Sequence, residues 1–71
     1  MHNHIKTREL LHILKKLGFL EIRQKGSHLF MEHPDGRTTV IPMHDEIRSG
    51  LLIKIIKEDI KISKEEFEKL L

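Results

Sequence analysis

Seventy-one residues, 13 Lys/Arg against 11 Asp/Glu for a net charge of +2, leave room for one domain, 1–71, that buries roughly 60% of the surface its unfolded chain exposes. That excludes a deep enclosed active site and puts any chemistry on an open face or a sheet rim. The absence of cysteine excludes disulfides and thiolate metal sites, fits a reducing cytoplasm, and leaves the fold dependent on its apolar core or on a partner.

The opening "MHNHIKTREL" has no apolar core of the kind a signal peptide needs, and the apolar run Leu51–Ile53 stops at Lys54, so neither a leader nor a membrane span is expected. Residues 1–5 are expected to fray, with His2 and His4 in that end. Thr7 is placed to cap a helix in which Leu10, Leu11, Leu14 and Leu17 follow the i, i+3/i+4, i+7 rule. Arg8, Glu9, Lys15 and Lys16 take its other side, with His12 among them. Gly18 stops the helix, and Phe19 supplies the apolar contact that accompanies a glycine cap.

From Phe19 to Lys25 the pattern alternates. Leu20 and Ile22 are expected on the covered face, with Glu21, Arg23 and Lys25 on the wet one. Gly26 and Ser27 make a tight connection, and His28–His33 alternates again, Leu29 and Met31 opposing His28, Phe30 and Glu32. "HPDGRT" orders Pro, Asp and Gly as a turn requires, and the β-branched "TTVI" from Thr38 to Ile41 gives a third strand that Pro42 ends. Asp45 and Glu46 are expected to begin the second helical region. Ser49 and Gly50 open its helix, which runs to about Glu58 with Leu51, Leu52, Ile55 and Ile56 on its buried stripe. Ser63 with Glu66 forms a capping box, Ile62 can staple onto Phe67, and Phe67, Leu70 and Leu71 pack inward. The order is α-β-β-β-α plus a short C-terminal helix: an α+β fold with a three-stranded antiparallel meander covered by helices on one face.

Charge is uneven along this order. Residues 1–42 hold seven Lys/Arg against four Asp/Glu, whereas residues 43–71 hold six against seven. The positive excess surrounds His28 and suits an anionic partner, although a solvated surface accounts for it as well.

The segments "TRELLHILKKLGF", "RQKGSH", "HPDGRTTVIP", "EIRSGLLIKIIKE" and "ISKEEFEKLL" together resemble the HicA family of bacterial and archaeal toxins, over nearly the whole chain from Lys6 to Leu71. The most specific element is "KGSH". The resemblance implies a double-stranded-RNA-binding-domain-like fold and a metal-independent endoribonuclease that cleaves mRNA, the toxin of a type II toxin-antitoxin system silenced by a HicB antitoxin covering the His28 face. It also implies that His28 is the catalytic residue and that no cofactor is used. Where many relatives carry a second histidine, this chain has Leu29.

RNA supports that chemistry because its 2′-hydroxyl lies beside the phosphorus it attacks. Histidine exchanges protons near neutrality, which is typically worth ~10²–10⁴-fold. Arg23, Lys25 and Arg37 can place charge beside the phosphate, Gly26 admits close approach to the main chain, Ser27 can donate to a phosphate oxygen, and Phe30 can stack on a base. Plainer readings stand beside each: solubility for Arg23 and Lys25, turn geometry for Gly26 and Ser27. His33 is expected to end a strand. His44 either assists or is structural. No compact carboxylate or histidine motif points to a metal. The alternative function is a non-catalytic RNA-binding module of the same fold.

Overall fold

The computed structural model describes residues 4–71. Strand β1 is His4–Lys6, followed by helix α1, Thr7–Leu17. Strands β2 (Leu20–Lys25), β3 (His28–Glu32) and β4 (Thr38–Pro42) form an antiparallel sheet in the order β2-β3-β4. Strand β5, Glu46–Arg48, pairs with β1 in a separate two-stranded ribbon. Helix α2, Ser49–Lys54, runs into a π-helical turn at Ile55–Ile60, and α3 is Lys64–Lys69. This is the α+β, double-stranded-RNA-binding-like arrangement the sequence predicts, with a two-stranded ribbon added. Among the described residues, no helix is long and apolar enough to cross a membrane.

The core lies between one face of the sheet and the helices. Leu29, Met31 and Ile41 point from the sheet into a cluster with Leu10, Ile13 and Leu14 of α1, Leu52 of α2, Ile55, Ile56 and Ile60 of the π-helical turn, and Phe67 of α3. Phe19 joins it, fully buried, just past the Gly18 cap, where its N–H reaches Leu14 O at 2.9 Å. Gly18 has φ +105°, a conformation open to glycine. Ser63 Oγ accepts the Glu66 N–H at 3.0 Å, as the capping box requires, and Ile62 packs against the core that holds Phe67.

Leu71 is exposed rather than packed inward, and five further sequence expectations are corrected. His4 and Ile5 do not fray: they pair with Arg48 and Ile47, and Ile5 is buried. The expected fraying of residues 1–3, and His2, lie outside the described residues. Thr7 does not cap α1. Its hydroxyl donates to His44 O and its N–H to Asp45 O, tying the helix start to the segment after β4, while Lys6 holds the cap position without a side-chain bond. Glu46 belongs to β5 rather than to the start of the second helix. Leu51 is exposed, because the buried stripe of α2 and the π-helical turn is Leu52, Ile55, Ile56 and Ile60.

The fifth correction concerns β2. Glu21 pairs with Met31 and Arg23 with Phe30, so Ile22 is an inserted bulge residue. The insertion turns Arg23 to the same side as Leu20, which pairs with Glu32 on the open face. Leu20 and Ile22 are therefore 60% and 57% exposed rather than covered. β2 as a whole lies beyond the helical cover, and the tie below it is polar: Lys15 Nζ to Glu21 Oε2 at 2.9 Å.

Candidate functional site

His28 is the first residue of β3, and its position follows from the turn before it. Gly26 has φ +59° and Ser27 does not share that sign, the pattern of a two-residue II′ hairpin turn with glycine first. Gln24 Nε2 donates to Gly26 O at 3.1 Å, and Ser27 O accepts the Met43 N–H at 2.6 Å, which anchors the turn to the segment leaving β4. Nothing lies within 4 Å of where a Gly26 Cβ would stand, so the main chain there is open to an approaching ligand.

Cross-strand register decides what shares the face of His28. Lys25 is opposite on β2 and Pro42 on β4; two residues along, Arg23 and Val40 flank Phe30. Successive residues on one strand face are roughly 6.6 Å apart, so the two rungs are neighbours. His28 is exposed, and its ring makes no hydrogen bond or ion pair to any described residue, leaving both nitrogens open to a ligand. Arg23 lies 5.1 Å from the Phe30 centroid, a cation–π pair that leaves a flat guanidinium-and-ring surface on the open side. Glu32 stands at the far end of the same row.

The sheet thus brings together His28, Lys25, Gly26 and Ser27, with Arg23 and Phe30 next to them. It does not bring Arg37 to this group. Arg37 precedes β4 at the end where Glu32 pairs with Thr38, four residues along the ladder from His28, or roughly 13 Å. Its guanidinium is already occupied: Nε reaches Asp35 Oδ2 at 2.8 Å, Nη1 donates to Ile60 O, and the group lies 5.3 Å from the Phe19 centroid. It satisfies a carbonyl at the C-terminal, negative end of the π-helical turn, a structural duty.

His33 is likewise structural. Its Nε2 is 2.9 Å from Leu17 O, at the end of α1, and its ring meets Phe19 edge-on at 5.2 Å. Nδ1 lies 3.1 Å from the Asp35 backbone N and 3.0 Å from Asp35 Oδ1; a neutral ring accepts from the first and a protonated one donates to the second. The Asp35 carboxyl is held below its ordinary value, first by the Arg37 backbone N–H, against the opposing effect of desolvation, and then by the Arg37 guanidinium and the His33 charge. His4 pairs with Glu46 at 3.2 Å. His12 and His44 stand exposed on a groove beside α1, an association the sequence left unseen because it brings a helix together with a segment over thirty residues away. Among the described residues, no group of three or more His, Asp or Glu side chains is placed to hold a metal ion.

An open imidazole beside an ammonium, at a glycine turn accessible from solvent, can exchange a proton with a bound anionic ester while the cation offsets charge on it. In comparison with known proteins, residues 7–60 match the family described as HicA toxin of bacterial toxin-antitoxin, which spans β3 and all of the residues just gathered. No curated protein matches the chain.

Proposed function

The chain belongs to the HicA toxin family, and on that premise we propose that it is a metal-independent endoribonuclease that cleaves messenger RNA in the cytoplasm, with His28 as the proton-exchanging catalytic residue. The observation that carries this reading is the exposed, unpartnered His28 ring sharing a sheet face with Lys25 beside the Gly26–Ser27 turn. The 2′-oxygen of the substrate bonds to the adjacent phosphorus as the P–O5′ bond breaks. The 2′-proton passes to the imidazole, and the departing 5′-oxygen takes up a proton, leaving a 2′,3′-cyclic phosphate and a 5′-hydroxyl. Lys25 and Arg23 offset the phosphate charge, Ser27 donates to a phosphate oxygen, and Gly26 allows the backbone to come close. A base stacks on Phe30 with its guanidinium partner. Since the substrate supplies the nucleophile and the protein supplies the charge, no metal step is required.

A HicB-like antitoxin is the expected partner, covering the His28 face. Leu20, Ile22 and Val40 support this, being exposed apolar side chains on that face, where a protein partner gains from burial and the imidazole is then shut off from RNA.

The test is a gel assay of purified protein with labelled RNA. His28→Ala is expected to cut turnover by ~10²-fold or more, with RNA binding and melting temperature close to those of the parent. EDTA should have no effect and DNA should stay intact. Undiminished cleavage by His28→Ala, or cleavage abolished by EDTA, overturns the reading.

A further inference from the structure

Helix α1 carries Arg8, His12 and Lys15 at i, i+4 and i+7, which aligns them on one side roughly one turn (~5.4 Å) apart. All three are exposed and line one wall of a groove. The other wall is the segment Met43–Asp45, fixed against the helix start by the two bonds from Thr7 to His44 O and Asp45 O. Lys6 also lines it.

The charge of this groove is one-sided. Lys6, Arg8 and Lys15 face Asp45 alone, and His12 and His44 add two imidazoles. Arg8, His12 and His44 pair with no described side chain. Lys6 and Lys15 do have carboxylate partners, Glu46 at 3.8 Å and Glu21 at 2.9 Å, but neither acid lines the groove, and all four groups are exposed enough for such pairs to be weak. A groove lined by an excess of exposed cations draws anions.

Its position selects the anion. Met43, in the groove wall, is hydrogen-bonded to Ser27, the residue before His28, so groove and imidazole meet at one end of the sheet. A polyanion held at His28 would enter the groove by rounding this end of the sheet, where Met43 and Ser27 meet. Arg8 and Lys15, about two helical turns (~10.5 Å) apart with His12 between them, suit non-adjacent phosphates along a nucleic-acid strand. A protein partner wants a buried apolar centre, and the apolar wall here is limited to half-buried Leu11 and the exposed Met43.

Building on the ribonuclease reading, we propose that this groove is a second binding tract for the RNA substrate, holding the phosphates of nucleotides that flank the bond presented to His28. Arg8 and Lys15 neutralise non-adjacent phosphates, and His12 and His44 hydrogen-bond to the strand between them.

The experiment measures binding of a labelled 2′-O-methyl RNA twelve-mer, which lacks the free 2′-hydroxyl and so is not cut, to the full chain by fluorescence anisotropy across a salt series. The variant Arg8→Gln/Lys15→Gln is expected to bind about tenfold more weakly, with a log–log salt slope shallower by ~0.7 for each phosphate that is no longer neutralised. Arg8→Glu, a single exposed change that leaves the Lys15 ion pair intact, should weaken binding further than Arg8→Gln. The charge-matched Lys57→Gln/Lys64→Gln, away from the groove, should match the parent. Unaltered affinity and slope in the groove variants overturn the proposal while leaving catalysis at His28 standing. Groove variants that keep RNA affinity but lose antitoxin affinity also overturn it, identifying a protein-binding surface. If the parent chain binds the twelve-mer yet cuts no ordinary RNA, the ribonuclease reading fails and the salt slope alone judges the groove. If the parent binds no RNA, both fail.

Discussion

At the scale of single residues, Gly18 meets two demands. Its φ of +105° is strained for any side chain, at roughly 1–3 kcal/mol. An added Cβ would also stand 2.9 Å from His33 Nε2, which cannot swing away without giving up Leu17 O. Gly18→Ala is therefore expected to destabilise by about 2 kcal/mol or more in urea unfolding, and the penalty should shrink in a His33→Ala background, where the ring is gone. An equal penalty in both backgrounds would remove the ring from the explanation. The sequence announces the cap, because glycine after a periodic run leaves little else to infer, but says nothing of His33 as the neighbour. His28 was legible for a similar reason: the turn chemistry of Gly26 and Ser27 fixes where the strand starts, and alternation from there fixes its face. Arg37 was misleading. A cation near a presumed binding face reads the same whether its charge is free or held by Asp35 and Ile60 O.

At the scale of elements, the β3–β4 turn is a small ionic assembly of His33, Asp35 and Arg37. Because the Asp35 carboxyl is held low, the folded state resists its protonation. The stabilisation is whole above the ordinary carboxylate value of about 3.9 and disappears as the pH drops through the lower folded value. The stability gap between the parent and Asp35→Asn, measured by urea unfolding, should be present at pH 7 and narrow as the pH falls below about 3.9; a gap that does not narrow on acidification would show that the charge is not its source. Helices and strands with regular periodicity, α1 and β3 above all, were readable in advance. The bulge at Ile22 was not, since one inserted residue reverses which side of β2 is apolar while the letters still alternate. The β1–β5 ribbon was also invisible, because three-residue strands 42 positions apart carry no local pattern.

At the scale of the whole molecule, the sheet separates two kinds of surface. Its covered side holds nearly all the core, and its open side mixes His28, Lys25 and Arg23 with Leu20, Ile22 and Val40. On the proposed function, an antitoxin and an RNA would compete for this one area of adjacent apolar and cationic groups. Ile22→Asp should weaken binding to the antitoxin, read by calorimetry, by ~tenfold or more, with the melting temperature nearly unchanged, since Ile22 lies outside the core. Full affinity in that variant would move the antitoxin's docking area elsewhere.

The strand that presents His28 rests its inner residues, Leu29 and Met31, in a cluster completed by Ile55, Ile56, Ile60 and Phe67. During translation the imidazole emerges well before those supports. A nascent chain halted short of Ile55 has the imidazole, and Leu10, Ile13 and Leu14 of α1 to cover part of its strand's underside, but lacks the side chains that complete the cluster. On the proposed reading of His28, the strand that aims the imidazole is therefore fully backed only once the last third of the chain has been made.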